Sequence, residues 1–316
     1  MLRLNNEIVK ITKFPNGETH IANTDIERIL SNMADTEVIP FEDYTNIVNP
    51  FITFKFESNE DLINLIFLTK HMRSLHYGRL NLIIQYMPYS RMDRTEGKKV
   101  FTLKYITEII NNLKFNKVYI LEPHSDVSVA LINNSKEVWL TPQLFKDYKE
   151  LIGFDKDKDL IYYPDGSSYK RYSKFYEGYN SIIGFKHRDF ETGHITSIEF
   201  AGNKINKESK IVMVDDLCSG GMTFKIAGDI FRRDYGITDE ITLITGHCEY
   251  NIFNGAITKD DSPVNRIITT NSIIEDEAKG IKQKFIIANL NYKYWLRYIL
   301  NGNNSYGFKI DNNERK

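Results

Sequence analysis

Short apolar runs alternate with segments of helical periodicity along most of the chain. In the first half, residues 46–56, 80–86 and 117–121 have the apolar content of strands. Residues 60–77 and 102–113 carry apolar side chains at the three- and four-residue spacing of a helix. Strands that alternate with helices predict β-α-β units and therefore a parallel sheet.

The second half repeats this alternation, which predicts a duplicated α/β architecture. Strands are predicted at 160–163, 181–185, 211–214 and 240–245, and helices at 169–176 and 224–233. The expected domains are 1–145 and 146–301, with a boundary near 141–155 and a polar tail at 302–316.

Composition narrows the class of protein. The 316 residues carry a formal net charge of −1, so neither nucleic acid nor a membrane surface is an expected partner. No apolar run has the length of a membrane span, and the first residues lack the pattern of a signal peptide. Two cysteines fit a reducing compartment, which predicts a cytoplasmic protein. Usage rich in Asn, Ile, Lys and Tyr suggests an AT-rich genome and admits a viral origin, with action in the host cytoplasm.

The most informative stretch is IVMVDDLCSGGMTF at 211–224. An apolar run ends in the carboxylates of Asp215 and Asp216, and a small-residue turn then leads into a helix. Backbone N–H groups of such a turn can bind a phosphate at the positive end of the helix. Carboxylates would repel a phosphate, but they accept from sugar hydroxyls or bind Mg²⁺. The stretch predicts a phosphoribosyl site; the alternative is a plain strand-to-helix turn with a Ser or Thr cap.

This stretch resembles the signature loop of the type I phosphoribosyltransferase fold. Four further segments resemble motifs of one branch, the ribose-phosphate pyrophosphokinases, in the family's order: FPNGE at 14–18, PYSRMDR at 88–94, EPHSD at 122–126 and YPDGSSYKR at 163–171. The resemblance implies an α/β fold of two tandem phosphoribosyltransferase-like domains, each a mainly parallel sheet flanked by helices. It also implies transfer of the β,γ-diphosphoryl group of ATP to the anomeric hydroxyl of ribose 5-phosphate, with release of AMP.

The resemblance assigns the sugar phosphate to the signature loop. The hydroxyls of the ribose would bind Asp215 and Asp216. The 5-phosphate would bind the residues of the turn, which are Ser219, Gly220, Gly221, Met222 and Thr223.

The turn departs from the family's usual sequence. Ser219 and Gly220 stand where an acidic residue and a threonine are usual, and Met222 stands where glycine is usual. Fewer hydroxyls suit a phosphodiester better than a terminal phosphate, because the diester carries about one charge fewer. ADP-ribose is therefore a second candidate acceptor. Its adenosine part would need an apolar surface, for which the candidates are Tyr169, Tyr172 and Phe224.

Two residues are candidate ligands of Mg²⁺. His124 follows the predicted strand at 117–121, and Asp165 follows the strand at 160–163. In the family, the matching His and Asp help to hold a Mg²⁺ that bridges the phosphates of ATP. A hard cation with few protein ligands and several phosphate oxygens is usual for Mg²⁺.

Lys186 and Arg188 resemble the cations that open the family's catalytic loop. Cations there would stabilise charge on the transferring diphosphoryl group. A second arginine that is usual a few residues later is absent, and Glu191 lies near its position. His187 or His194 are candidates to compensate; the alternative is a solvated polar loop.

The ATP site is predicted from the first half of the chain. Phe14 offers a stacking face, and Asn16 and Glu18 can hydrogen-bond the edge of a purine. Arg91 would bind the nucleotide with its guanidinium, beside Met92 in place of the usual glutamine. The alternative for FPNGE is a plain Asn-Gly turn. The resemblance implies that this loop completes the ATP site of a neighbouring subunit, in dimers that build hexamers.

Two other functions remain open from the sequence. A phosphoribosyltransferase shares the signature loop but has no use for the ATP motifs or for a second similar domain. A non-catalytic regulatory relative would fit the substitutions, although the retained lysine, arginine, histidine and aspartates favour an enzyme. The substitutions lie at Asn16, Met92, Glu191 and Ser219.

Overall fold

The computed structural model describes residues 1–5, 7–34, 50–95, 97–188, 195–274 and 284–290. Over these residues the chain divides into two compact units, Met1–Val138 and Trp139–Leu290.

The first unit contains a six-stranded sheet and a separate hairpin. Along the chain, its strands are β1 (Leu2–Leu4), β2 (Glu7–Ile8), β3 (Ile11–Lys13), β4 (Thr19–Ile21), β5 (Phe51–Phe54), β6 (Asn81–Ile84), β7 (Lys117–Leu121) and β8 (Ser135–Val138). The sheet has the order β2-β1-β5-β6-β7-β8, and β3 and β4 form the antiparallel hairpin. Strands β5 to β8 are parallel, whereas β1 pairs antiparallel with β2 and β5.

The described residues of the first unit form four helices: α1 (Asn23–Ala34), α2 (Asn59–Ser74), α3 (Thr102–Asn112) and α4 (Asp126–Leu131). Helix α2 begins where the Asp61 carboxylate accepts a hydrogen bond of 2.9 Å from the backbone N–H of Ser58. The apolar side of α2, with Leu65 and Leu68, packs in one core with Leu82 and Ile84 of β6. This packing explains the continuous apolar run of β6, since a strand between helix layers is buried on both faces.

The second unit contains a seven-stranded sheet. Its strands are β9 (Leu160–Tyr163), β10 (Ser181–Arg188), β11 (Ile195–Gly202), β12 (Ile211–Cys218), β13 (Ile241–Cys248), β14 (Arg266–Thr270) and β15 (Phe285–Ala288). Their order is β11-β10-β9-β12-β13-β14-β15. Only the β10–β11 pair is antiparallel in this sheet, within the described part of the chain.

The helices of the second unit are α5 (Thr141–Ile152), α6 (Gly166–Tyr172) and α7 (Met222–Asp234). Alternate residues of β12 face two different cores. Met213 packs in the core that contains Phe231 of α7, whereas Val212 packs in the core that contains Leu144 of α5. Helices therefore cover both faces of the sheet, as the apolar runs predicted.

The α/β prediction is confirmed. The structure adds elements that were not predicted, which are strands β1 to β4, β8, β11, β14 and β15 and helices α1, α4 and α5. The predicted elements differ mainly at their ends. Strand β12 does not stop before Asp215 but continues to Cys218, because it stays paired with β13 up to Cys248. Helix α6 begins at Gly166 rather than at 169, since Asp165 caps it. The predicted strand at 46–56 is described only from 50 onward, and the predicted tail at 302–316 lies outside the described residues.

Across the described residues, none of the helices has the length and apolar content needed to cross a membrane.

Candidate active site

Charged side chains of the second unit gather at the carboxyl ends of three adjacent strands. Strand β9 lies between β10 and β12 in the sheet. Asp165 follows β9, Lys186 lies in β10, and Asp215 and Asp216 lie in β12. Carboxyl ends of parallel strands are where ligands bind in open α/β sheets.

Asp165 is held by two kinds of hydrogen bond. As the N-cap of α6, its Oδ1 accepts from the backbone N–H of Ser167 at 3.1 Å and of Ser168 at 3.0 Å. Its Oδ2 accepts from Nζ of Lys186 at 2.8 Å. Burial raises the pKa of Asp165, but the bond and charge of Lys186 outweigh burial and leave the pKa below its usual value. The carboxylate of Asp165 is therefore ionised at neutral pH.

The two carboxylates of β12 lie in different surroundings. Asp216 is buried, and its Oδ1 accepts from Nη1 of Arg171 at 2.6 Å. Asp215 is half-buried, and its Oδ1 accepts from the backbone N–H of Asp216 at 3.0 Å. Burial, followed by the negative charges of Asp216 and Asp165, raises the pKa of Asp215 well above its usual value. Sequence reasoning gave Arg171 no role, because nothing in the sequence indicates its ion pair with Asp216, which lies 45 residues away.

The turn between β12 and α7 is only three residues long, 219–221. Gly221 is the N-cap of α7, with φ of 72°, and its carbonyl accepts the N–H of Lys225 at 3.0 Å. The N–H groups of Met222 and Thr223 precede the first helical hydrogen bond and have no partner within the helix. Such N–H groups at the start of a helix suit an anion.

A second segment, which follows β13, supports this turn. The backbone of Gly255 packs so closely on Gly220 that any side chain at 255 would strike the Gly220 carbonyl. Nδ2 of Asn251 donates to Oγ of Ser219 at 2.7 Å. Buried Ile257 lies against Gly221. Sequence reasoning missed this segment, since its residues resemble an ordinary loop.

The tight fit at Gly221 gives a stability prediction. Gly221→Ala would combine a left-handed backbone with a Cβ only 2.5 Å from Ile257. We expect a loss of about 2–4 kcal/mol in the free energy of unfolding, measured by urea denaturation. Gly236→Ala is the matched control, because Gly236 has φ of 64° but open space around it. Equal losses in the two variants would show that the contact with Ile257 contributes nothing.

The predicted adenine-binding loop lies at the tip of the β3–β4 hairpin in the first unit. Two backbone hydrogen bonds close the tip. The N–H of Phe14 donates to the carbonyl of Glu18 at 2.8 Å, and the N–H of Gly17 donates to the carbonyl of Phe14 at 2.9 Å. Nδ2 of Asn16 donates to Oε2 of Glu18 at 2.7 Å. The ring of Phe14 is 53% exposed. The tip therefore presents an aromatic face and two polar side chains to solvent.

The other two motifs of the first unit follow adjacent strands. Arg91 and Met92 are exposed in a turn after β6, where Tyr89 has a positive φ of 59°. His124 is half-buried between β7 and α4. It follows buried Glu122, which has a positive φ of 40°. Positive φ is uncommon for residues other than glycine. The residues that do adopt it are often found at functional sites.

No protein-family model matches the chain, but individual proteins do. The chain is 28% identical over 214 residues to the ribose-phosphate pyrophosphokinase of Saccharolobus solfataricus, with 66% of each protein covered. It is 26% identical over 274 residues to that of Pyrococcus furiosus, with 84% of this chain and 86% of the relative covered. The phosphoribosylpyrophosphate synthetase of Mycobacterium smegmatis superposes with a TM-score of 0.65 at 14% identity, covering 93% of this chain and 89% of the other.

Relatives at 24–28% identity, together with the superposed synthetase, support a divergent member of the ribose-phosphate pyrophosphokinase family. It belongs to the transferases of the diphosphokinase type. Its fold consists of two phosphoribosyltransferase-like domains, which matches the architecture expected from the sequence.

The second unit brings together most of the site residues that were predicted for it. Those are Asp165, Lys186, Asp215, Asp216 and the turn 219–223. Arg188 ends β10, and nothing is described of its side chain. Glu191 and His194 lie outside the described residues. His187 is exposed and lies 3.3 Å from Glu199 on β11.

The aromatic surface predicted for an adenosine group is partly wrong. Phe224 and Tyr172 are buried, at 4% and 0% exposure, because each packs into a core of the second unit. Tyr169 is 42% exposed and remains a candidate. Met222 and Tyr250 are also exposed on elements that flank the turn, at 57% and 46%.

The described residues fit a loosely held Mg²⁺ better than a closed metal site. Among the described residues, no three His, Cys, Asp or Glu side chains form a cluster that could enclose a metal ion. Asp165 is ionised and its side chain is 41% exposed, so its outer lone pairs can meet a hydrated cation. Mg²⁺ commonly takes one or two carboxylates, with substrate phosphates and water as its other ligands.

Proposed function

We propose that this protein transfers the β,γ-diphosphoryl group of ATP to the anomeric 1-hydroxyl of a ribose 5-phosphate group and releases AMP. The acceptor is ribose 5-phosphate or a form substituted at the 5-phosphate, such as ADP-ribose. The observation that supports this most is the Lys186–Asp165 ion pair beside the strand that carries Asp215. A fixed cation and an acidic pair next to an anion-binding turn suit a sugar phosphate that attacks a polyphosphate.

The acceptor would bind with its 5-phosphate at the turn. The N–H groups of Met222 and Thr223, with the hydroxyl of Ser219, are the donors available to it. Asp215 would accept from a ribose hydroxyl, since its carboxylate is less buried than that of Asp216. Asp216, which pairs with Arg171 at 2.6 Å, would take the neighbouring hydroxyl.

In the reaction, the anomeric oxygen attacks the β-phosphorus in line and forms a new P–O bond. The bond from the β-phosphorus to the oxygen that bridges it to the α-phosphorus breaks. AMP leaves with that oxygen, and the hydroxyl proton passes to solvent. Lys186 would stabilise the negative charge of the transferring group, together with Arg188. When bound, Mg²⁺ would neutralise phosphate charge, with Asp165 and His124 as its proposed protein ligands.

ATP would bind through its adenine to the hairpin of the first unit. Phe14→Ala should raise the KM for ATP about 5- to 150-fold, because base–aromatic stacking contributes roughly 1–3 kcal/mol. The melting temperature should stay unchanged, since the ring is 53% exposed. Ile8→Ala, at a similarly exposed residue of the same unit, is the control. An unchanged KM for ATP in Phe14→Ala would refute the stacking role.

We further propose that the protein works as a homo-oligomer, from dimer to hexamer, in which the hairpin completes a neighbouring subunit's ATP site. An exposed aromatic at a hairpin tip is consistent with this. Sedimentation and activity measured at one concentration test it. A fully active monomer would contradict it.

Side-by-side initial rates decide between the acceptors. ATP and Mg²⁺ are supplied with ribose 5-phosphate or ADP-ribose, and AMP and the sugar product are followed by mass spectrometry. We expect measurable activity on ADP-ribose, because Ser219 and Gly220 leave the turn with few hydroxyls to bind a terminal phosphate. No ADP-ribose product at millimolar concentration, with robust product from ribose 5-phosphate, would restrict the acceptor to the latter. Absence of AMP release with both would favour a regulatory relative or a phosphoribosyltransferase.

A further inference from the structure

One side chain from outside the turn donates a hydrogen bond to a side chain of residues 219–221, among the residues that the structure describes. That side chain is Asn251. Its Nδ2 donates to Oγ of Ser219 at 2.7 Å. The segment that carries Asn251 follows β13, so it comes from a different part of the chain than the turn itself.

This segment is anchored firmly. Ile252 and Ile257, on either side of Gly255, are both fully buried in the core beneath α7. The N–H of Glu249 donates to the carbonyl of Cys218, directly before the turn, at 2.9 Å. Since Gly255 also packs on the backbone of Gly220, Asn251 is presented from a rigid support.

The direction of this hydrogen bond has a chemical consequence. A serine hydroxyl carries one proton and two lone pairs. When Oγ of Ser219 accepts from an amide, its own proton must point elsewhere. An anion at the turn is an acceptor only, so it gains a donor that is already oriented, which lowers the entropy cost of binding.

We propose that Asn251 is a positioning residue for the sugar-phosphate site, which orients the Ser219 hydroxyl as a donor to the 5-phosphate. This inference rests on the proposed function in that it takes the turn as the phosphate site. It explains how a turn with one serine can still bind a phosphate: a side chain from a second segment fixes that serine's proton.

Two substitutions of Asn251 test this orientation, one without and one with a change of charge. Asn251→Ala leaves the hydroxyl free to rotate and should weaken ribose 5-phosphate binding about two- to tenfold. Asn251→Asp is isosteric, but a carboxylate can only accept, so the Ser219 proton would turn to it and away from the phosphate. Its added negative charge acts in the same direction, and we expect about 10- to 100-fold weaker binding.

The matched control is Asn254→Asp. Asn254 lies on the same short helical segment, is exposed, and receives the same change of charge. It should weaken binding by less than about threefold, since an exposed charge is screened by solvent. Melting temperatures should be alike in all variants, because both asparagines are exposed.

The experiment is a double-mutant cycle read by titration calorimetry, with ribose 5-phosphate and then ADP-ribose as titrants. We expect the effect of Asn251→Ala to disappear when Ser219 is already alanine. Wild-type binding in Asn251→Ala, an equal loss in the Ser219→Ala background, or an equal loss in Asn254→Asp would overturn the proposal. If the wild type binds a titrant but releases no AMP, the proposed reaction fails while the cycle still decides the role of Asn251. Binding of neither titrant would overturn both.

Discussion

Lys186→Ala should lower turnover by a factor of about 10² to 10⁴ while the KM for ATP changes little. The magnitude is that of one lost transition-state charge contact. Lys186 is suited to this role because its side chain is only 13% exposed and its ammonium is fixed by Asp165 at 2.8 Å. A cation that is already oriented needs little reorganisation when charge develops on the phosphoryl group. Steady-state kinetics with saturating acceptor measure the change.

Lys204→Ala is the control for Lys186→Ala. Lys204 is exposed in the second unit, and its removal causes the same change of net charge. It should leave turnover within about twofold, as exposed charges contribute little. Turnover near the wild-type value in Lys186→Ala would remove this lysine from the catalytic machinery and would weaken the assignment of the whole charged cluster.

Asp215→Asn should raise the KM for the sugar acceptor about 10- to 150-fold and leave the KM for ATP nearly unchanged. The amide keeps the shape of the side chain but removes the charged acceptor, and a hydrogen bond to a charged group contributes about 1.5–3 kcal/mol. If the KM for ATP rises instead, with acceptor binding intact, Asp215 belongs to the metal site.

The stability of Asp215→Asn separates loss of binding from loss of fold. The pKa of Asp215 is raised in the folded protein by burial and by its acidic neighbours. Ionisation therefore disfavours the folded state, and stability is lost as pH rises from the unfolded pKa to the folded one. An uncharged amide avoids this loss, so Asp215→Asn should be at least as stable as the wild type at neutral pH. Thermal unfolding checks it.

The same raised pKa predicts how acceptor binding depends on pH. Protonation of Asp215 begins at a higher pH than for an ordinary carboxyl. The KM for the acceptor should rise as pH falls through this raised value, and that rise should be absent in Asp215→Asn. An identical pH profile in wild type and variant would show that another group controls binding.

The sequence was sufficient to predict the α/β alternation, about half of its elements and the residues at several strand ends, since these depend on local patterns. Lys117–Leu121 and Leu160–Tyr163 agree with β7 and β9 to the residue. The end of β12 could not be predicted, because two aspartates do not resemble a strand and only the pairing with β13 extends it.

The sequence could not predict which side chains contact each other, for a different reason. Asn251 and Ser219 are 32 residues apart, so their hydrogen bond depends on how β13 leaves the sheet. The burial of Phe224 was missed because an aromatic residue in the first turn of a helix can face solvent or core. Here that turn packs against the core of the second unit.

The most direct test of the proposed reaction follows the β-phosphate of ATP. ATP labelled on its β-phosphorus is incubated with Mg²⁺, the protein and each acceptor, and the products are separated by chromatography. The proposed reaction predicts that the label appears in a sugar 1-diphosphate in equal amount to unlabelled AMP, and that Lys186→Ala slows both together. Label that remains in ADP, or that appears only as free pyrophosphate or phosphate, would contradict a diphosphoryl transfer to the sugar.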